Sequence, residues 1–166
     1  IIVDTDVLLS DELRNNIVSM LDTVSYIPVV YIGTKISGVS CIDNDTATDI
    51  EKVTDHFIEV HGFDDIDILT GPDEEGVSRE RVRGYKTSLE KHGIKFDKSK
   101  VVFGNFWINT GEELAQKYIY GERRIPQGVV CTNDYMAYGL CDKLTEKGVK
   151  IPEDIKVGTY EIILVA

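Results

Sequence analysis

The sequence predicts an α/β fold built on parallel strands. Three observations support this prediction: short β-branched runs recur along the chain, helical periods separate them, and a glycine follows two of those periods. A strand–helix–strand rhythm requires crossover connections, which place the strands parallel to one another in a sheet. With 166 residues, 42% of them apolar, the chain is long enough for one ordinary domain or two small lobes.

Seven strands are predicted. Several of them are short β-branched runs bounded by polar residues or turns, which is typical of strands covered on both faces. They cover residues 1–3, 29–32, 40–42, 66–69, 101–103, 129–131 and 155–157.

Helices are predicted between these strands. The spacing i, i+3, i+7 that marks one apolar helix face occurs twice, at Val82, Tyr85 and Leu89 and at Ala137, Leu140 and Leu144. Gly93 and Gly148 follow these periods and are expected to end the helices. An earlier helix closes at His61-Gly62-Phe63, where we place the boundary between two lobes.

Charge and cysteine content restrict the class of protein. The formal net charge of −11 makes the chain a poor candidate for binding nucleic-acid phosphates. Three cysteines, an odd number with no CxxC pair, indicate free thiols in a reducing compartment, and we expect a cytoplasmic protein. No apolar run reaches the roughly 18 residues of a membrane span. The chain lacks an initiator methionine, so we expect a piece of a longer protein.

A polar pair, Asn133-Asp134, stands between a predicted buried strand and a helix. In open parallel sheets, ligands bind at the carboxyl ends of the strands, and this pair occupies such an end. Asn and Asp are also favoured helix caps. The two roles are compatible, because one residue can cap the helix while the other faces a crevice.

Six segments carry a resemblance to the ligand-binding domain of the lactose- and galactose-repressor (LacI/GalR) family. They occur in the family's order and near its spacing: IPVVYIG (27–33), IDND (42–45), HFIEVHGFDDIDILTGP (56–72), SRERVRGY (78–85), VVCTNDYMAYGL (129–140) and IPEDIKVGTYE (151–161). The resemblance implies parallel-sheet, three-layer lobes of the type I periplasmic-binding-protein-like fold. Residues 1–62 would form part of the N-terminal lobe, residues 63–161 the C-terminal lobe, and residues 162–166 the start of the crossover back.

The same resemblance implies a set of ligand contacts. Arg81 matches the family's ligand arginine, and its guanidinium fork suits paired hydroxyls or a carboxylate. Asn133 matches a ligand-contacting position, which leaves Asp134 to start the helix. Phe106 matches an aromatic residue that would stack on a sugar or base ring, with Trp107 as the competing choice.

Two further positions depart from the family pattern or leave a choice open. Glu161 stands where the family usually has a ligand-binding aspartate, so it keeps the carboxylate but adds one methylene. In the other lobe, either Asp43 or Asp45 would face the ligand, and both could instead end a strand and start a helix.

The function implied is that of a sensor. A small polar ligand, sugar-like or purine-like, would bind between the lobes, and hinge closure would signal to an output domain. In a transcription regulator that output is a DNA-binding headpiece, present only in the full-length protein, which would act as a homodimer. The alternative is the same sensor joined to another signalling output, such as a diguanylate cyclase.

Enzyme and metal-site interpretations are disfavoured. Asp4-Thr5-Asp6 suggests a metal-dependent nucleoside hydrolase or phosphatase, but the residues that follow do not fit either pattern. A calcium loop at Asp43-x-Asp45 lacks its next ligand and its glycine. His56 and His61 are expected to diverge on a helix. We therefore predict no catalytic residues, no metal ligands and no cofactor.

Overall fold

The computed structural model describes residues 2–4, 11–24, 26–32, 38–42 and 45–159, which form two parallel sheets with helices between their strands. The N-terminal sheet has the order β1-β2-β3 and the C-terminal sheet the order β5-β4-β6-β7. The elements are β1 Ile2–Asp4, α1 Asp11–Thr23, β2 Val30–Ile32, β3 Ser40–Ile42, α2 Thr46–His61, β4 Ile66–Thr70, α3 Gly76–Lys91, β5 Val101–Phe103, α4 Ile108–Ile119, β6 Gly128–Cys131, α5 Asp134–Glu146 and β7 Lys156–Gly158, with a 3₁₀ turn at Lys98–Lys100 before β5.

The predicted α/β class and the strand positions are confirmed. All seven predicted strands are present, and every strand pair in both sheets is parallel. Strand ends differ from the prediction by at most one residue. The helix-ending glycines are confirmed as well: Gly93 and Gly148 have φ values of 73° and 80°, which a residue without a Cβ adopts at low cost.

Two apolar clusters cover the C-terminal sheet. One lies between the sheet and helices α4 and α5 and includes Leu114, Leu140 and Leu144. The other joins the sheet to α2 and α3 and includes Phe57 and Tyr85. Strands β4 and β6 are buried along their whole length, as expected for central strands covered on both faces.

Helix α2 precedes the predicted lobe boundary in the sequence, but it packs against the C-terminal sheet. A division after residue 62 would group α2 with the N-terminal sheet, but Ile50 and Phe57 pack into the cluster that covers the C-terminal sheet. Gly84 of α3 allows this packing, because a Cβ there would lie 2.0 Å from the Ala47 carbonyl oxygen. The described part of α2 therefore packs with α3 and the C-terminal sheet.

The two histidines of α2 also differ from expectation. The rings of His56 and His61 lie 5.0 Å apart instead of diverging, since the His61 ring leans toward Phe63 at the end of the helix. All three cysteines are free, as predicted. None of the helices among the described residues is long and apolar enough to cross a membrane.

A buried carboxylate interrupts the apolar interior. Asp67, the second residue of β4, is fully buried. Its Oδ2 accepts hydrogen bonds from the Tyr118 hydroxyl at 2.6 Å and from Arg123 Nε at 2.7 Å. Lys100 Nζ lies 3.5 Å from Oδ1. The Asp67 carboxylate thus binds two cations from different loops, Arg123 and Lys100. These contacts fix the edge of the sheet opposite its carboxyl end.

We predict that Asp67→Asn destabilises the protein by about 2–4 kcal/mol, because it leaves Arg123 and Tyr118 facing a neutral group in a buried site. The free energy of urea unfolding measures the effect. The exposed neighbour Asp64→Asn serves as a control and should change it by less than about 0.5 kcal/mol. Equal effects of the two substitutions would contradict a structural role for the Asp67 network.

Candidate functional site

The carboxyl ends of the C-terminal strands bring together three of the predicted site residues. Backbone hydrogen bonds continue the sheet past the strand ends, from Gly104 N to Thr70 O and from Thr132 N to Leu69 O, both at 2.9 Å. The loops after β4, β5 and β6 therefore leave the sheet side by side. Phe106 lies at the centre of the group they form.

Phe106 has an unusual backbone conformation. Its φ of 67° is in the left-handed region, which costs a residue with a Cβ roughly 1–2 kcal/mol. Its ring lies over Gly71, where a Cβ would come within 2.0 Å of the ring carbons. Gly71 is thus required for the ring to lie on the backbone that follows β4.

Arg81 contacts the same ring. Its guanidinium carbon is 5.4 Å from the Phe106 ring centroid, within range of a cation–π interaction, and the residue is 8% exposed. The other arginines of the motif have surface roles. Arg83 donates to Glu80 at 3.0 Å, and Arg79 donates to the backbone carbonyls of the loop before α3. Arg81 is therefore the arginine of the motif that lies beside Phe106, and its contact with a ligand stays a prediction.

Asn133, and not Asp134, caps helix α5. Its Oδ1 accepts a hydrogen bond from Met136 N at 3.0 Å, which makes Asn133 the N-cap of α5. Its Nδ2 donates to the Phe106 carbonyl at 2.8 Å. Asp134 is instead the first residue of α5 and is buried. The predicted division of roles between the two residues is wrong, because a cap must precede the helix, and the helix begins at Asp134.

The loop between β5 and α4 is held by its own side chains. Asn105 Oδ1 accepts from Trp107 N at 3.0 Å and from the Thr110 hydroxyl at 2.6 Å. Trp107 is 62% exposed and lies against the Tyr135 ring, whereas the Phe106 ring is the one within 5.4 Å of the Arg81 guanidinium. Of the two candidate aromatic residues, Phe106 is therefore the one next to the arginine.

The acidic candidates are less well defined by the structure. Asp45 is exposed and caps α2, accepting from Thr48 N at 3.1 Å and from its hydroxyl at 2.6 Å. These hydrogen bonds lower the pKa of the Asp45 carboxyl. Asp43 and Glu161 lie outside the described residues, as does Asp6 of the hydrolase-like motif. A role of Asp45 toward a ligand stays a prediction.

Two polar groups beside Arg81 were missed from the sequence. Glu75 Oε2 and the Ser78 hydroxyl are buried and have no hydrogen-bond partner within the described part of the chain. Ser78 precedes Arg81 by one helical turn, a spacing that could have identified it. Glu75 gives no such signal, because an acidic residue before a helix is an ordinary cap-region residue.

The chemistry of this strand-end site, defined by Gly71, Arg81, Phe106 and Asn133, favours a small polar ring. Arg81 supplies a planar fork of donors, and Phe106 supplies an aromatic face. Because Arg81 brings a fixed positive charge, the site is unsuited to a metal ion. Buried polar atoms with no partner, such as those of Glu75 and Ser78, are the groups that a ligand would satisfy.

Comparison with known proteins gives consistent matches. Residues 54–164 match the model of the periplasmic binding protein-like domain family. The HTH-type transcriptional repressor PurR of Vibrio atlanticus is 34% identical over 166 residues, which cover 99% of this chain and 49% of that protein. The chain thus spans about half the length of the curated relatives it matches.

Solved structures agree on the fold. A sugar-binding transcriptional regulator of the LacI family from Escherichia coli, solved with phosphate, matches with a TM-score of 0.77 at 24% identity and covers 95% of this chain and 55% of that one. The transcriptional regulator CelR in complex with cellobiose matches with a TM-score of 0.67 at 27% identity and covers 83% of this chain and 42% of that one.

The acceptor and donor roles of the Asn133 amide can be tested separately by substitution. Asn133→Asp keeps the capping oxygen but loses the donor to Phe106, whereas Asn133→Ala loses both. We expect Asn133→Ala to cost about 1–2 kcal/mol or more in urea unfolding and Asn133→Asp to cost less. If Asn133→Ala unfolds like the wild type, the amide does not hold this site together.

Glu75 provides a pH-dependent test. Burial raises the pKa of its carboxyl, repulsion from Glu74 adds to the effect, and the Arg81 charge opposes it. The folded state therefore holds the proton more tightly, so stability is lost as pH rises through the raised pKa. We expect Glu75→Gln to have a higher Tm than the wild type at pH 7, with the difference closing toward pH 4. A constant difference from pH 4 to pH 8 would contradict this account.

Proposed function

Because this chain belongs to the periplasmic binding protein-like family of ligand-binding domains found in LacI-family regulators, we propose that it is the ligand-sensing part of a transcriptional regulator. The observation that carries the proposal is the contact between Arg81 and Phe106 at the carboxyl ends of parallel strands. This is the edge at which open α/β sheets bind ligands. The regulator's DNA-binding part would lie elsewhere in a longer protein.

The proposed ligand is a small, sugar-like or purine-like molecule. Arg81 would bind paired hydroxyls, a ring carbonyl or a carboxylate, and the Phe106 ring would stack on the flat face of the ligand. Asn133 would add a contact through the amide hydrogen that does not bond to Phe106. A complex with cellobiose among the similar structures supports a sugar as the ligand. Because one relative is named as a PurR repressor, nucleobase-like ligands are also included among those to be tested.

The proposed mechanism is closure of two lobes around the ligand. Contacts from the strand-end site would come from one lobe, and Asp43 or Asp45 would add a carboxylate from the segment that joins β3 to α2. Glu161 would add a carboxylate after β7. A ligand that binds both sides stabilises the closed state by its differential affinity, and the attached output domain responds to that shift.

Three further parts of the proposal concern the whole protein. It would be cytoplasmic and would act as a homodimer, as DNA-binding regulators with two-fold symmetric sites do. It would not be an enzyme, because the described residues of the strand-end site offer binding groups but no nucleophile next to a general base. The relatives supporting this are transcriptional repressors.

We predict that Arg81→Gln in the full-length protein weakens ligand binding by about tenfold to a hundredfold, the effect of losing charge-assisted hydrogen bonds. Isothermal titration with a panel of mono- and disaccharides, purine bases and nucleosides first identifies the ligand. Arg79→Gln is the matched control, because Arg79 is exposed and bonds only to nearby backbone carbonyls in the described structure. If both variants bind with the same affinity, the strand-end site does not bind the ligand.

A further inference from the structure

A second group of potential ligand atoms lies at the opposite end of helices α2 and α3. Asp55 and Glu59 are one turn apart on α2, and His92 caps the carboxyl end of α3. The carboxylate oxygens and an imidazole nitrogen all lie within 4.8 Å of one another. This Asp55–Glu59–His92 cluster is distinct from the strand-end site, since eleven residues of α3, about 16 Å, separate Arg81 from His92.

The distances match the edges of a small coordination sphere. His92 Nε2 is 3.0 Å from Asp55 Oδ1 and 3.4 Å from Glu59 Oε1. In a tetrahedral zinc site with bonds of about 2.1 Å, neighbouring ligand atoms are about 3.4 Å apart. The two separations are close to that edge length, and the Nε2–Oδ1 contact is also a hydrogen bond, which a bound ion would replace.

The surroundings of Asp55 support coordination. Asp55 and His92 are largely buried, with side chains 14% and 19% exposed. The Ser88 hydroxyl donates to Asp55 Oδ1 at 2.6 Å, which orients the carboxylate from a second shell. The carboxyl end of α3 lies beside the cluster, and its partial negative charge favours a cation.

Lys91 competes for the same carboxylates. Its ammonium is 2.6 Å from Asp55 Oδ2 and 3.9 Å from Glu59 Oε1. It uses the Asp55 oxygen that does not face His92, and its side chain is half exposed, so it can move into solvent. A bound ion would therefore have to displace or tolerate Lys91, which lowers affinity without removing any ligand.

We propose that Asp55, Glu59 and His92 form a site for a divalent transition-metal ion of the zinc class. The ion would join α2 to α3 at the end away from the ligand cleft, with solvent completing its coordination. The sequence alone does not reveal the site, because 33 residues separate Glu59 from His92.

The test is a zinc titration of the full chain, prepared without a histidine tag and stripped of metal. We expect one equivalent of Zn²⁺ to bind and to raise Tm, and His92→Gln and Glu59→Gln each to weaken binding at least tenfold. Glu59 is exposed, so its substitution leaves the fold intact. Lys91→Gln should bind zinc more tightly than the wild type, because it removes the competing cation.

His56→Gln is the matched control, since His56 and His61 could bind zinc on their own. Co²⁺ spectra provide a second readout, because thiolate charge-transfer bands would reveal binding by a cysteine instead. The proposal is supported if His56→Gln binds as the wild type does and the cobalt complex lacks those bands. It is overturned if the chain binds no zinc, if His92→Gln binds normally, or if cysteine or His56 carries the affinity.

Discussion

The side-chain amide of Asn133 connects the elements on which the candidate site depends. Its oxygen caps α5, and its nitrogen holds the Phe106 carbonyl in a loop that begins at a different strand. Phe106 has a left-handed backbone, a conformation that persists only where surrounding contacts determine it. An aspartate at position 133 could cap but could not donate, so a residue with both an acceptor and a donor is required there.

Elements of the fold could be read from the sequence because their signals are local. A short β-branched run specifies a buried strand, and a glycine after an apolar period specifies a helix end, without reference to the rest of the chain. The packing of α2 could not be predicted in the same way. Its apolar face is visible at Ile50 and Phe57, but a periodic face does not indicate which of two sheets will cover it.

The site shows the same limit at the level of single residues. Its candidate residues could be predicted, because Arg81, Phe106 and Asn133 match ligand-contacting positions of the LacI/GalR family that the sequence resembles. The roles of Asn133 and Asp134 could not, since both residue types cap helices and a shift of one residue in the helix start exchanges their functions. Glu75 was missed because its burial depends on a loop packing that the sequence does not encode locally.

Helices α2 and α3 extend from the strand-end site toward the Asp55–Glu59–His92 cluster. Ala47 meets Gly84 near one end, and Asp55 meets Ser88 toward the other, so the helices run side by side in the same direction. Their amino-terminal ends, with partial positive charge, then face the strand ends, where an electron-rich ligand would bind. Their carboxyl ends carry the acidic cluster and attract cations. Parallel helices on a parallel sheet thus separate the candidate ligand site from the proposed cation site by charge.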